Sequence, residues 1–139
     1  MTIVSMILLG ILIYINISGI FVLFKSERRV MNELGDINDN NYKNIGCFSG
    51  CFGMIMYIPA LLITAFCVGN SLGVVLLVSV IVGEFIEGNI RIRFTNKAKD
   101  KDDYLKYILR ERHKLFYVLF EIYELIVFIY VFFELFLKI

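Results

Sequence analysis

The residues with chemistry to offer are four glutamates set in apolar sequence: Glu84 and Glu87, then Glu121 and Glu124. Each pair is spaced by three, so both carboxyls share one helix face. A charge near the bilayer centre costs about 2.5–3.5 kcal/mol even on the mild insertion scale, so acids inside a span turn to protein or water. Two roles compete. In the first, the acids pair with Arg91, Arg93, Arg112 or His113, and Glu87 suits this well. In the second, crowded carboxylates favour their protonated forms and bind a proton or a cation. Glu121 and Glu124 suit this best, because no basic residue follows them within their span. The sequence favours the structural role. Glu134 precedes Lys138 by four residues and is read as an interfacial ion pair.

Other site chemistries lack their residues. A di-iron carboxylate site wants Glu-x-x-His pairs, and the one histidine, His113, is out of that register. Cys47, Cys51 and Cys67 lie in one apolar segment with no CxxC or Cys/His spacing, so they read as small packing residues. No Ser-His or Cys-His set and no Gly-rich phosphate loop is present. No catalytic residue, metal or cofactor is expected, and an enzyme is not the expected class.

The elements that position the acids follow from composition. The chain has 139 residues, of which 59% are hydrophobic, and a mean hydropathy of +0.77. A soluble domain carries less apolar sequence. Four long apolar segments account for the excess, at 3–24, 45–68, 71–88 and 115–137. The first holds 22 residues without a charge, about 33 Å as helix and enough for the hydrocarbon core. Its apolar run is too long for a signal peptide and no basic residue precedes it, so it reads as a retained span. The expected fold is all-α: one transmembrane domain over 1–139, a bundle of four transmembrane helices.

Within the spans, Asn16 is expected to hydrogen-bond to a neighbouring helix. Gly46, Gly50 and Gly53 form a small-residue face that permits close helix approach, and Pro59 should kink the second span. Gly69-Asn70 is the turn between spans two and three. Residues 26–34 read as an extension of the first helix, ended by a left-handed exit at Gly35 and the Asp/Asn run 36–41. Lys106, Arg110 and Lys114 fall at i, i+4, i+8 on an amphipathic segment. Such a stripe suits anionic headgroups or a partner surface.

Charge fixes the expected topology. Loop 89–114 holds nine of the fourteen Lys and Arg against four acids, while loop 25–44 holds four of each. By the positive-inside rule both loops are cytoplasmic and both termini outside, in the cell membrane. Charge so segregated on a near-neutral chain excludes a nucleic-acid binder as the first reading.

Short loops and a small-residue face favour a small membrane protein acting by protein–protein interaction within the bilayer, as an accessory subunit or toxin-immunity protein. Its partners would be the lipid bilayer and either its own copies, as a homo-oligomer, or another membrane protein. The alternative is an oligomeric ion channel or a proton/cation-coupled transporter using the intramembrane glutamates.

Overall fold

Six helices follow one another in the computed structural model, which describes residues 1–35, 37–111 and 114–139, without the Glu111 side chain: α1 (Thr2–Leu23), α2 (Glu27–Glu33), α3 (Tyr42–Val68), α4 (Ser71–Lys97), α5 (Lys101–Glu111) and α6 (Leu115–Phe136). No strand occurs among the described residues. Helices α1, α3, α4 and α6 are long and apolar enough to cross a membrane. The chain is an all-α membrane protein built as a four-span bundle.

Around the bundle, α1 packs on α3 and α6, and α4 packs on α3 and α6; the α3–α4 pairing is the most extensive. Asn16, late in α1, bonds to Glu121 and Glu124, early in α6, so these helices run antiparallel. The Ser79–Tyr123 hydroxyl pair, at 2.5 Å, ties α4 to α6. Large apolar side chains such as Phe21, Ile55, Phe66, Val82, Ile126 and Phe133 point outward. In water that skin would be unfavourable; against lipid tails it costs nothing.

The α3–α4 turn has a defined chemistry. Gly69 ends α3 with φ 68°, in the left-handed region open to glycine. Asn70 then caps α4, its side chain accepting from the Gly73 amide at 2.5 Å. Lys138 reaches this turn from the far end of the chain and donates to the Cys67 and Val68 carbonyls. It therefore satisfies the last carbonyls of α3 and does not pair with Glu134 as the i, i+4 spacing implied. A cation at a helix C-terminus meets both orphan carbonyls and the negative end of the macrodipole.

Several boundaries differ from the sequence reading; α3 begins at Tyr42, three residues before the expected span at 45. The third span does not stop at Gly88: α4 runs on to Lys97, so the basic segment 89–97 is helix and not loop. Gly88 has no following breaker, and its small size serves contact with α3. Residues 26–34 do not extend α1 either; α1 ends at Leu23, and Ser26 caps the separate α2 by accepting from the Arg29 amide. Gly35 does not take the left-handed conformation. Asn38 and Asn41 make the stop instead: Asn38 Oδ1 accepts from the Asn40 and Asn41 amides, and Asn41 Oδ1 accepts from the Asn38 amide at 2.7 Å. Asp36 of that run lies outside the described residues.

At the loop end, Ile37, Tyr42, Tyr104 and Leu105 form a second small core. The Tyr42 hydroxyl donates to the Ala98 carbonyl at 3.0 Å. Helix α5 is thereby folded against the start of α3. Burial raises the Tyr104 phenol above its ordinary pKa.

Candidate functional site

Each span presents one stripe to the bundle interior, and each stripe changes character along its length. On α1, Leu9 and Leu12 give way to Asn16. On α4, Leu77 and Val80 give way to Glu84 and Glu87. On α6, Glu121 and Glu124 precede Phe128, Val131 and Leu135. On α3, the glycines and Tyr57 precede Leu61, Thr64 and Val68. The half of the interior near the termini is therefore a mainly apolar core, its buried Ser5 and Thr64 bonded to carbonyls one turn back in the chain. The half near the loops is lined by acids, an amide and small residues. Outside the bundle at the same depth stand Phe52, Ile55, Val82, Phe85, Ile122 and Ile126, all exposed. The polar lining thus sits inside an apolar shell.

The four glutamates converge. Asn16 Nδ2 donates to Glu121 Oε2 at 3.1 Å and to Glu124 Oε2 at 3.2 Å. The Glu84 carboxyl lies against that of Glu124 across the α4–α6 interface, and Gly53 on α3 leaves room for it. Glu87 pairs with Arg91 on its own helix, Oε1 to Nη2 at 2.6 Å. Glu124 is only 2% exposed, and its Oε1 has no conventional hydrogen-bond partner among the described residues. Asn16 Oδ1 is equally unmatched. A buried polar atom without a partner is rare and costs free energy unless something occupies it in function.

Two cavities reach this cluster. One, of about 370 Å³, lies between α3, α4 and α6, with Phe48, Phe52 and Tyr57 on the α3 side and Glu84, Glu121 and Glu124 opposite. The other, of about 360 Å³, opens beneath the loop-end core beside Tyr104 and Ile108. Ser49, Glu87, Arg91 and Glu121 line both, so the Glu87–Arg91 pair stands where the two meet.

The glycine face is used inside the chain. Gly46 lies against Thr95 and Tyr104, and a Cβ on Gly50 would meet the Gly88 carbonyl at 3.1 Å. Gly46, Gly50 and Gly53 thus seat α3 on α4. Pro59 does not share this contact; it sits within α3 on the exposed outer surface. Lys106 and Arg110 point outward from α5, and Lys114 is exposed just before α6. Cys47, Cys51 and Cys67 are free thiols, and Cys47 Sγ contacts Asn96 Oδ1 at 3.8 Å. Arg93 is exposed and forms no ion pair with the acids. Arg112 and His113, the other proposed partners, lie outside the described residues.

Sequence reasoning gathered the acids and gave Asn16 a hydrogen bond to a neighbouring helix, which the structure shows, but it missed Tyr57 and did not name the acids as the partners of Asn16. The signal was present: 5, 9, 12, 16 and 19 follow one helical stripe on α1, as 46, 50, 53, 57 and 61 do on α3. Among the described residues no group of three or more His, Cys, Asp and Glu is arranged to hold a metal ion. Protein-family models, curated proteins and solved structures yield no match to this chain.

Proposed function

We propose that this protein is a proton- or cation-coupled transporter whose exchangeable site is the Glu84, Glu121 and Glu124 cluster. The observation that carries the reading is Glu124: nearly fully buried, without a cation of its own among the described residues, against the Glu84 carboxyl and lining a cavity inside an apolar shell. Structural acids in membranes find cations or water. Among the described residues, four carboxyls share a cavity with a single guanidinium, Arg91, which Glu87 already engages. Intramembrane acids of this kind are the usual proton relays of pumps and carriers.

The apolar core on the termini side closes the path within one chain. Transport therefore needs either a rearrangement of the spans or a second copy, and a monomeric pore is disfavoured. The positive-inside rule puts the cavity mouth on the cytoplasmic side of the cell membrane and both termini outside.

The test is proton flux in liposomes holding the purified protein, driven by an imposed potential and read with an internal pH dye. The wild type should carry flux that Glu121→Gln/Glu124→Gln loses while still reconstituting as a folded species. Absence of flux from folded wild type would sink the reading.

Partner binding within the bilayer keeps one favourable observation, the outward stripe of Lys106 and Arg110 on a folded α5. Its other support weakens, because the glycine face is taken up by α4. Crosslinking from that stripe in native membranes would recover a discrete second protein under this reading.

A further inference from the structure

The shape and lining of the cavity specify a ligand class, an inference that rests on the transport reading above. We propose that the cavity between α3, α4 and α6 binds a lipophilic organic cation, its charge against Glu84 and Glu124 and its apolar body against Phe48, Phe52 and Tyr57. Three observations meet here. The volume, about 370 Å³, is that of a small-molecule site, which typically starts near about 300 Å³. The charge is complementary: among the described residues, four carboxyls line the cavity with one guanidinium. Glu124 lines it, is 2% exposed, and its Oε1 meets no conventional donor among the described residues, only the neighbouring Glu84 carboxyl lying against this side chain.

The aromatic rings decide between an organic cation and an inorganic one. Aromatic faces attract cations within about 6 Å and do so most strongly when desolvated. A hard metal ion instead wants several oxygens closing on one point; the four carboxyls line one cavity, but among the described residues no three acidic, His or Cys side chains are arranged to hold a metal ion. Phe48 and Phe52 lie 5.7 Å apart, centroid to centroid, and are 69% and 43% exposed. They form an apolar lip on the outer surface of α3, so a ligand can enter sideways from the lipid. The second cavity, sharing Glu87, Arg91 and Glu121, lies on the loop side of the same site, with the Glu87–Arg91 pair between the two.

Binding exchanges charge without leaving any uncompensated. A protonated carboxyl releases its proton to water as a monovalent cation takes its place, so the cavity's net charge is unchanged. The groups facing Glu124 are Glu84, Glu87 and Arg91 from α4, Glu121 from its own helix and Tyr57 from α3; α1 contributes the neutral Asn16.

The experiment is equilibrium dialysis of the full chain in detergent against tetraphenylphosphonium and the smaller benzyltrimethylammonium. Tetraphenylborate, of like shape and opposite charge, is the control. Saturable binding near one cation per chain is expected, weakening about tenfold per pH unit through the range where the site protonates. Glu124→Gln should weaken it tenfold or more. Glu84→Gln, which breaks no bond to Asn16, should do the same if the first variant fails to fold. Phe48→Ala/Phe52→Ala should weaken it several-fold. Saturation by neither cation, equal uptake of tetraphenylborate, or indifference to both glutamine variants would each overturn the proposal, even where proton flux persists. Saturable cation binding in a protein without proton flux would support the cation site and overturn the proton reading alone.

Discussion

Asn16 and Glu124 join the first span to the last by a 3.2 Å hydrogen bond at a level where the outside of the bundle is apolar. The amide is 1% exposed and the carboxyl 2%. Neither would be tolerated alone in hydrocarbon, so each is the reason the other can be there. The bond also sets the register of α1 against α6, since a slip of one turn would place Leu12 or Ile20 opposite the acids.

Asn16→Leu should therefore cost about 1–2 kcal/mol, above the average interhelical hydrogen bond because two carboxyls lose their donor. Reversible unfolding in mixed micelles measures it. A double-mutant cycle with Glu124→Leu should show positive coupling; additive costs would mean the bond does not hold the spans together.

Removing one member of the Glu87–Arg91 pair should cost more than removing both. Arg91→Met leaves a carboxyl that is 8% exposed without its cation, and about 1–3 kcal/mol is expected because the Arg91 side chain is half-exposed. Glu87→Met/Arg91→Met should recover most of that loss in the same unfolding assay.

Glycine substitutions should split by position. A Cβ at Gly88 would meet the Gly50 carbonyl at 2.9 Å, so Gly88→Ala should push α3 from α4 and destabilise by about 1–3 kcal/mol. At Gly10 a Cβ has nothing within 4 Å. Gly10→Ala should be neutral or stabilising by up to about 1 kcal/mol through helix propensity. Thermal stability of the two proteins side by side is the check.

Lys138→Met should destabilise the α3–α4 turn, by about 0.5–1 kcal/mol for a lost cation at a helix end. Glu134→Gln should be silent. The opposite ranking would restore the i, i+4 pair that the spacing suggested. Amide hydrogen exchange at residues 67–70 reads the turn directly.

On the loop side, Lys25 donates to both Glu33 oxygens, at 2.9 and 3.0 Å. That bond and the Lys25 charge hold the Glu33 carboxyl below its ordinary value of 4.5. A depressed folded-state pKa gives a contribution fully present above the unfolded value and lost as pH falls through the folded one. Acidification below the ordinary value should thus loosen α2 from the end of α1. Carbon-detected titration of Glu33 should move back toward the ordinary range in Lys25→Met.

Much of this architecture was legible before any coordinates. Hydropathy, length and the Gly69-Asn70 breaker delimit four spans because a bilayer demands long apolar helices and tolerates few turns. The paired spacing of the glutamates marked the loop-side halves of spans three and four as the place for chemistry. What the sequence left open were contacts between residues far apart in the chain. Spacing alone offered Glu134 as the partner of Lys138, but the ammonium goes to carbonyls 70 residues away. Gly88 read as an end and proved to be a contact: its backbone stays helical, and its missing side chain lets α3 approach. The partner of Asn16, the turn of Tyr57 toward the acids and the cavity they enclose depend on which helix lies beside which. That choice is made by packing four stripes against one another, and no single stripe contains it.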